Sequence, residues 1–309
     1  MQELNPFINS KIKRRIVYYQ NPSFEDLGRF DAFIVGSDQT WRPKYVEDVE
    51  YYFLNFIPVE KNVLRIAYAP SFGTDKWEYS PEQTQVCSEL LKRFDAVSVR
   101  EESAVKLCLE HLGVKPFHVL DPTMLLTKED YLNVVGKKYA NEKKLSYYLL
   151  DYADEKMQII NKVCEKLQLT PFRVNTETEN HKARLEDRIA PSIEKWIGGF
   201  AESSFIVADS FHATVFAILF NKPFITIANP KRGLARFESL LNIFGLKDRI
   251  VSSLSQLDGQ LFNSSIDWNN VNELLTIQRK KSVDFLNSSL NLFCQNRLQE
   301  TDNQLINNG

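Results

Sequence analysis

Short apolar runs that stop at small polar residues recur along this chain, and their length suits buried parallel strands better than helices. The first, Ala32-Phe33-Ile34-Val35, breaks at Gly36-Ser37-Asp38-Gln39-Thr40-Trp41, and the second, 63–69, breaks at Pro70-Ser71-Phe72-Gly73. Ser80-Pro81-Glu82-Gln83 then reads as a helix start, with Ser80 as N-cap, Pro81 at the first helical position and Gln83 reaching back. Val86, Leu90, Leu91 and Phe94 form its expected inner stripe. Ala96-Val97-Ser98-Val99 is a strand that delivers Arg100, followed by a helix closing at Gly113. Phe117-His118-Val119-Leu120 is another short strand, ended by Asp121-Pro122-Thr123.

Charged and polar residues dominate 127–144, which puts an interdomain boundary there with a linker over 137–144. The alternation then restarts: strand 145–150, helix 154–167, strand 171–174, helix 193–201, strand 205–208, a helix from Phe211-His212 and strand 223–228. Strands alternating with helices in both halves predict an α/β protein with two Rossmann-like parallel-sheet domains. The expected division is 1–140 for the N-terminal domain, 141–265 for the C-terminal domain and 266–309 for amphipathic terminal helices packing across them.

Composition sharpens this picture. With 309 residues, 43% hydrophobic and 25% charged, the chain is long enough for two cores and is not a disordered or fibrous protein. A formal net charge of -2 gives nucleic acid no overall attraction, so local cations must carry any anion binding. The longest clean apolar stretch, 213–220, is far short of the roughly 20 residues a bilayer demands. Cys87, Cys108, Cys164 and Cys294 show no CxxC spacing and read as reduced core thiols, which points to the cytoplasm. Metal-ligand spacings, Gly-x-Gly-x-x-Gly and Walker runs are lacking, so neither a metal nor a resident cofactor is expected.

In parallel sheets ligands sit beyond the C-terminal strand ends, so the loops named above are the candidate site. Asp209-Ser210-Phe211-His212 joins a strand to an apolar helix and puts His212 in the first helical turn, an anion site with a proton donor or, equally, a structural histidine. His111, His118 and His181 read as structural. Arg100 at a strand end suits bidentate capture of phosphate or carboxylate; the alternative is an ion pair with Glu101 or Glu102. Lys231, Arg232 and Arg236 put three cations in a glycine-containing loop that suits a lid over an anion. Ser37, Asp38, Gln39 and Trp41 offer the hydroxyl, carboxylate, amide and aromatic groups that line sugar sites.

Five ordered segments together make the chain resemble the polysaccharide pyruvyl transferase family. They are Phe33-Ile34-Val35-Gly36-Ser37-Asp38-Gln39-Thr40-Trp41, Ala67-Tyr68-Ala69-Pro70-Ser71-Phe72-Gly73, Ser98-Val99-Arg100-Glu101-Glu102-Ser103, Asp121-Pro122-Thr123 and Asp209-Ser210-Phe211-His212. The resemblance implies a fold like that of B-type glycosyltransferases, two Rossmann-like domains around a cleft. It also implies transfer of pyruvate from phosphoenolpyruvate, as co-substrate, onto a sugar or lipid-linked oligosaccharide acceptor as a ketal, at the inner membrane face. His212 would be the general acid; Arg100, Ser210, Lys231, Arg232 and Arg236 would bind the donor; Ser37, Asp38, Gln39, Trp41 and Ser71 would bind the acceptor. The sequence departs from the family at Ser210, where many members carry arginine, and in reaching Gly36-Ser37-Asp38 almost at once, which reads as a shortened N-terminal domain. The rival readings are a nucleotide-sugar glycosyltransferase and a non-catalytic carbohydrate-binding protein.

Overall fold

The computed structural model of the chain describes residues 24, 30–135, 143–176, 184–257, 261–262 and 265–307. They divide into two compact units, one holding 30–125, 238–240 and 274–307, the other the described residues of 126–237 and 241–273. Much of the expected linker, 137–142, lies outside the described residues.

The first unit is built on a four-stranded parallel sheet in the order β1 (Ala32–Val35), β2 (Leu64–Ala67), β3 (Ala96–Val99) and β4 (Phe117–His118). Consecutive pairing of parallel strands requires a crossover between each, and α1 (Pro81–Leu91) and α2 (Glu102–Leu107) supply two of them. The α1 start is the reciprocal cap that its sequence encodes: Gln83 N donates to Ser80 Oγ and Ser80 N donates to Gln83 Oε1. Its inner face differs from expectation. Cys87, not Val86, joins Leu90 and Leu91 in the core, and Val86 is exposed. The helix expected to end at Gly113 does so after a π-helical turn, Cys108–Leu112, with Gly113 at φ 70°. Cys87, Cys108 and Cys164 are buried free thiols, and the Cys294 side chain lies outside the described residues.

The second unit carries a five-stranded parallel sheet. Its strands are β5 (Lys144–Tyr148), β6 (Thr170–Arg173), β7 (Phe205–Ala208), β8 (Phe224–Ile227) and β9 (Ile250–Val251), in the order β6-β5-β7-β8-β9. Its helices are α3 (Lys128–Val135), α4 (Asp154–Leu167), α5 (Leu185–Arg188), α6 (Ile193–Ala201), α7 (Phe211–Leu219) and α8 (Ala235–Ile243). Leu145, Val207, Ile225 and Val251 of the strands and Ile160 and Val163 of α4 pack as one fully buried cluster.

The two parallel sheets are the Rossmann-like α/β pair that the alternation predicts. The polar stretch 127–144 contains helix α3 as well as the first residue of β5. The tail is a single helix, α9 (Trp268–Asn307), rather than several. From 274 onward it belongs to the first unit, where Phe285 packs with Tyr68 and Val119 and Ser282 Oγ accepts from Leu120 N.

Candidate functional site

Strand order points to a candidate crevice in the second unit. The sequence of strands changes direction between β5 and β7, and in open parallel sheets the crevice outside the carboxyl ends at such a point receives ligands. Tyr148 and Ala208 are register partners at those ends, and the chain runs on from them into Leu149-Leu150-Asp151 and Asp209-Ser210-Phe211-His212.

Asp209 ties the two loops together. Its carboxylate is fully buried and accepts from Leu150 N at 2.6 Å, Lys156 Nζ at 2.5 Å, Asn229 Nδ2 at 3.2 Å and Asp151 N at 3.3 Å. Asp151 in turn grips Arg232 bidentately, taking Nη2 at 2.8 Å and Nε at 3.0 Å, and accepts from Asn229 Nδ2 at 2.8 Å. The hydrogen bonds from Arg232 are the main reason that the Asp151 carboxyl falls to about 2, from an ordinary 3.8; Asn229 and Lys156 act in the same direction.

Ser210 is the N-cap of α7 with extended backbone, and its side chain makes no cap hydrogen bond; its carbonyl accepts from Thr214 N and Thr214 Oγ1, both at 3.1 Å. His212, the second residue of α7, is half-buried with its ring 5.6 Å from that of Phe211 and perpendicular to it. Arg236 comes to the same aromatic ring: its guanidinium carbon lies 5.5 Å from the Phe211 centroid and Nη2 donates to the Arg232 carbonyl at 2.9 Å. Ser210, His212, Arg232 and Arg236 therefore share one neighbourhood. The expected cationic lid takes a different form, since Pro230–Arg232 is a 3-10 turn pinned to Asp151 and Arg236 is a buried residue of α8. The Lys231 side chain lies outside the described residues.

The remaining candidates belong to the first unit. Arg100 is buried and its two terminal nitrogens donate to Asp121 Oδ2 at 2.6 Å and Asp38 Oδ1 at 2.9 Å. Burial works to lower its proton affinity, but the two carboxylates and Glu101 outweigh that and raise it. Glu101 is fully buried and holds the next loop instead: Oε1 accepts from Phe72 N at 2.8 Å, Ser71 Oγ at 3.0 Å and Gly73 N at 3.1 Å. Asp38, at φ 64°, accepts from Ser71 N through its carbonyl, so Asp38, Ser71 and Arg100 form one cluster with Ser37 beside it. Gly36 in this turn cannot be replaced cheaply, because at φ 140° a Cβ would overlap the Tyr68 carbonyl oxygen. The Gln39 side chain covers Gly73 and accepts from Arg42. Trp41 is fully buried, stacked on Phe53 at 4.6 Å with its Nε1 donating to the Tyr52 carbonyl, so its faces serve the core. His111 stacks on Trp77 and His118 bonds the Arg100 carbonyl, while His181 lies outside the described residues.

The family model for polysaccharide pyruvyl transferase matches residues 4–231, about three quarters of the chain. The chain belongs to the polysaccharide pyruvyl transferase family. All five motifs of this pyruvyl transferase family member lie inside that match, whereas Arg232 and Arg236 follow it. No curated protein matches it. Among 11 solved chains that do is a structure of the wall teichoic acid polymerase TagF, 10% identical, with 84% of this chain and 76% of that chain covered at a TM-score of 0.41. Among the described residues no cluster of three or more His, Cys, Asp or Glu side chains could hold a metal ion, and no helix is long and apolar enough to cross a membrane.

Sequence reasoning missed Asp151, Lys156 and Asn229 as parts of the site frame. Asp151 carries the signal that found the others, since it directly follows the 145–150 apolar run; Lys156 on α4 carries none.

Proposed function

We propose that this protein transfers the pyruvate of phosphoenolpyruvate onto a sugar of a polysaccharide precursor as a ketal, releasing phosphate. The observation that carries the reading is that His212 stands in the first turn of α7, where Arg236 lies over Phe211 and donates to the Arg232 carbonyl, at the point where the strand order reverses. A phosphate there faces a helix N-terminus and two guanidinium groups, and the imidazole is the proton donor of the set.

His212 gives its proton to the methylene carbon of phosphoenolpyruvate, which becomes a methyl group and leaves a cationic centre at C2. One sugar hydroxyl bonds to C2 and returns its proton to His212. The C2–O bond to phosphate breaks, phosphate departs with a proton, and a second hydroxyl closes the ketal as it releases its own. A helix N-terminus opposes a charged imidazole and a bound phosphate dianion favours it, so the substrate helps to charge the acid. Ser210 and Lys231 complete the donor side of the proposal. Ser37, Asp38, Gln39 and Ser71 remain the proposed acceptor contacts of the first unit, and Arg100, expected on the donor side but with its terminal nitrogens on Asp121 and Asp38, is proposed instead to hold Asp38 in place for them. Phosphoenolpyruvate is an intracellular compound, which puts the reaction in the cytoplasm, at the inner membrane face for a lipid-linked acceptor.

Calorimetric titration of phosphoenolpyruvate, against phosphate, pyruvate and a nucleotide sugar, tests the donor. Selective binding that weakens at least about tenfold in Arg236→Lys is the expected result. His212→Gln should keep donor binding and lose phosphate release in the presence of a glycan mixture by about a hundredfold or more. Turnover of His212→Gln within a few-fold of the parent refutes the acid role, and preference for the nucleotide sugar refutes the donor.

A further inference from the structure

The second unit holds an unassigned cavity of about 320 Å³ beside the site just described. Tyr148, Asn175, Ala190, Pro191, Ile193 and Trp196 are among the residues that line it, at the C-terminal ends of β5 and β6 and the start of α6. Tyr148 is also the residue whose carbonyl accepts from Asp209 N, so the cavity adjoins the loop that carries His212.

Its chemistry selects the occupant. None of its lining side chains is charged, so it does not suit phosphate or carboxylate. Asn175 Nδ2 donates to the Leu149 carbonyl at 2.6 Å, which fixes the amide orientation. Asn175 Oδ1 is then left buried with no partner among the described residues, an acceptor that a bound donor would satisfy. The Tyr148 and Trp196 rings stand at 88° with centroids 6.2 Å apart. Two rings in that relation make a corner rather than a slot, which fits a puckered ring with C–H groups on its face and hydroxyls on its edge better than a flat base.

We propose that this cavity is a subsite for a neutral pyranose, with one sugar hydroxyl donating to Asn175 Oδ1 and the ring lying against Trp196 and Tyr148. This rests on the sugar acceptor of the proposed function and gives a second sugar of that acceptor a place in the second unit, next to the loop that carries His212. Asn175, Tyr148 and Trp196 are binding residues in it.

Saturation-transfer NMR with a panel of neutral methyl pyranosides, with uridine and adenosine as competitors, tests it on the full chain and on Asn175→Leu and Ala190→Phe. The second variant fills the cavity without removing a hydrogen bond, and thermal melting checks that each folds. The expected result is contact with at least one pyranoside, lost in Ala190→Phe and weakened about five- to tenfold in Asn175→Leu. Absence of any pyranoside signal overturns the subsite, as does a signal undiminished in Ala190→Phe or displacement by a nucleoside. Phosphoenolpyruvate is titrated into the same proteins. Its failure to bind while a pyranoside still does would remove the donor chemistry and leave the subsite standing.

Discussion

Replacing Asp209 by Asn should cost the second unit about 3–5 kcal/mol. The carboxylate is fully buried, and four donors converge on it: Leu150 N and Lys156 Nζ at 2.6 and 2.5 Å, and Asn229 Nδ2 and Asp151 N at 3.2 and 3.3 Å. An asparagine of the same shape has one acceptor to offer. Whichever way its amide turns, the NH2 group meets a donor, which strands a buried N–H at about 1–3 kcal/mol. Lys156, only 15% exposed, also loses the charge that offsets its burial, and breaking one side of such a pair sets the larger share of the cost. Native-state hydrogen exchange of β5 and β7 peptides reads this unit separately from the other. Lys156→Met should be costly for the complementary reason, and the double variant should recover about 1–3 kcal/mol of the sum. A loss below about 1 kcal/mol in Asp209→Asn, or simple additivity of the two changes, would refute the view that this ion pair ties the site loops together.

Two further predictions concern pH. Lys222 is buried at the turn into β8, and burial first, with nearby Lys128 second, holds its ammonium down to about 8 from an ordinary 10.5. Below about 8 the folded and unfolded chains carry the same proton and the full penalty applies; between 8 and 10.5 the unfolded chain binds more protons, so stability rises with pH. Lys222→Met should raise the melting temperature at pH 7 and abolish that rise, and an unchanged pH profile would count against the burial argument. Asp151 gives the same sign in the acid range, since its lowered carboxyl gives stability that is complete above 3.8 and is lost as pH falls through about 2. Both partners are more than a third exposed, so Arg232→Ala should remove no more than about 1 kcal/mol at pH 7, with β5 exchange as the readout.

The backbone plan was legible because parallel strands buried on both faces write themselves as short continuous apolar runs. Ala32–Val35, Phe205–Ala208 and the helix Asp154–Leu167 lie where the pattern puts them. The elements that the pattern did not give are of another kind. Ile250–Val251 is two residues long, and α3 and α8 are only 8 and 9 residues long with charged first turns, so none of them presents a period strong enough to stand out. At the site, strand-end loops pointed to Asp209 and His212 because a loop after an apolar strand is a local feature of the sequence. What joins Asp209 to Lys156 or Asp151 to Arg232 is contact across 53 and 81 residues, and local spacing carries no trace of it. Trp41 shows the converse, since a surface-looking run of polar neighbours surrounds a side chain that the fold uses as core.

The Ser210 departure acquires a physical meaning in this arrangement. An arginine there would bring its charge to the N-cap of α7, two residues before His212. Here the cap is a small hydroxyl residue, and Arg236, from one helix further along the chain, lies over Phe211 in the same turn. In the proposed reaction the positive charge is thus supplied from α8 instead of α7. Arg236 packs against the faces of Phe211 and Phe237, at 5.5 and 5.8 Å, where contact with the rings substitutes for part of the hydration that a guanidinium gives up on burial. A charge held this way stays put when the anion arrives, which is the condition for stabilising a departing phosphate without first reorganising the site.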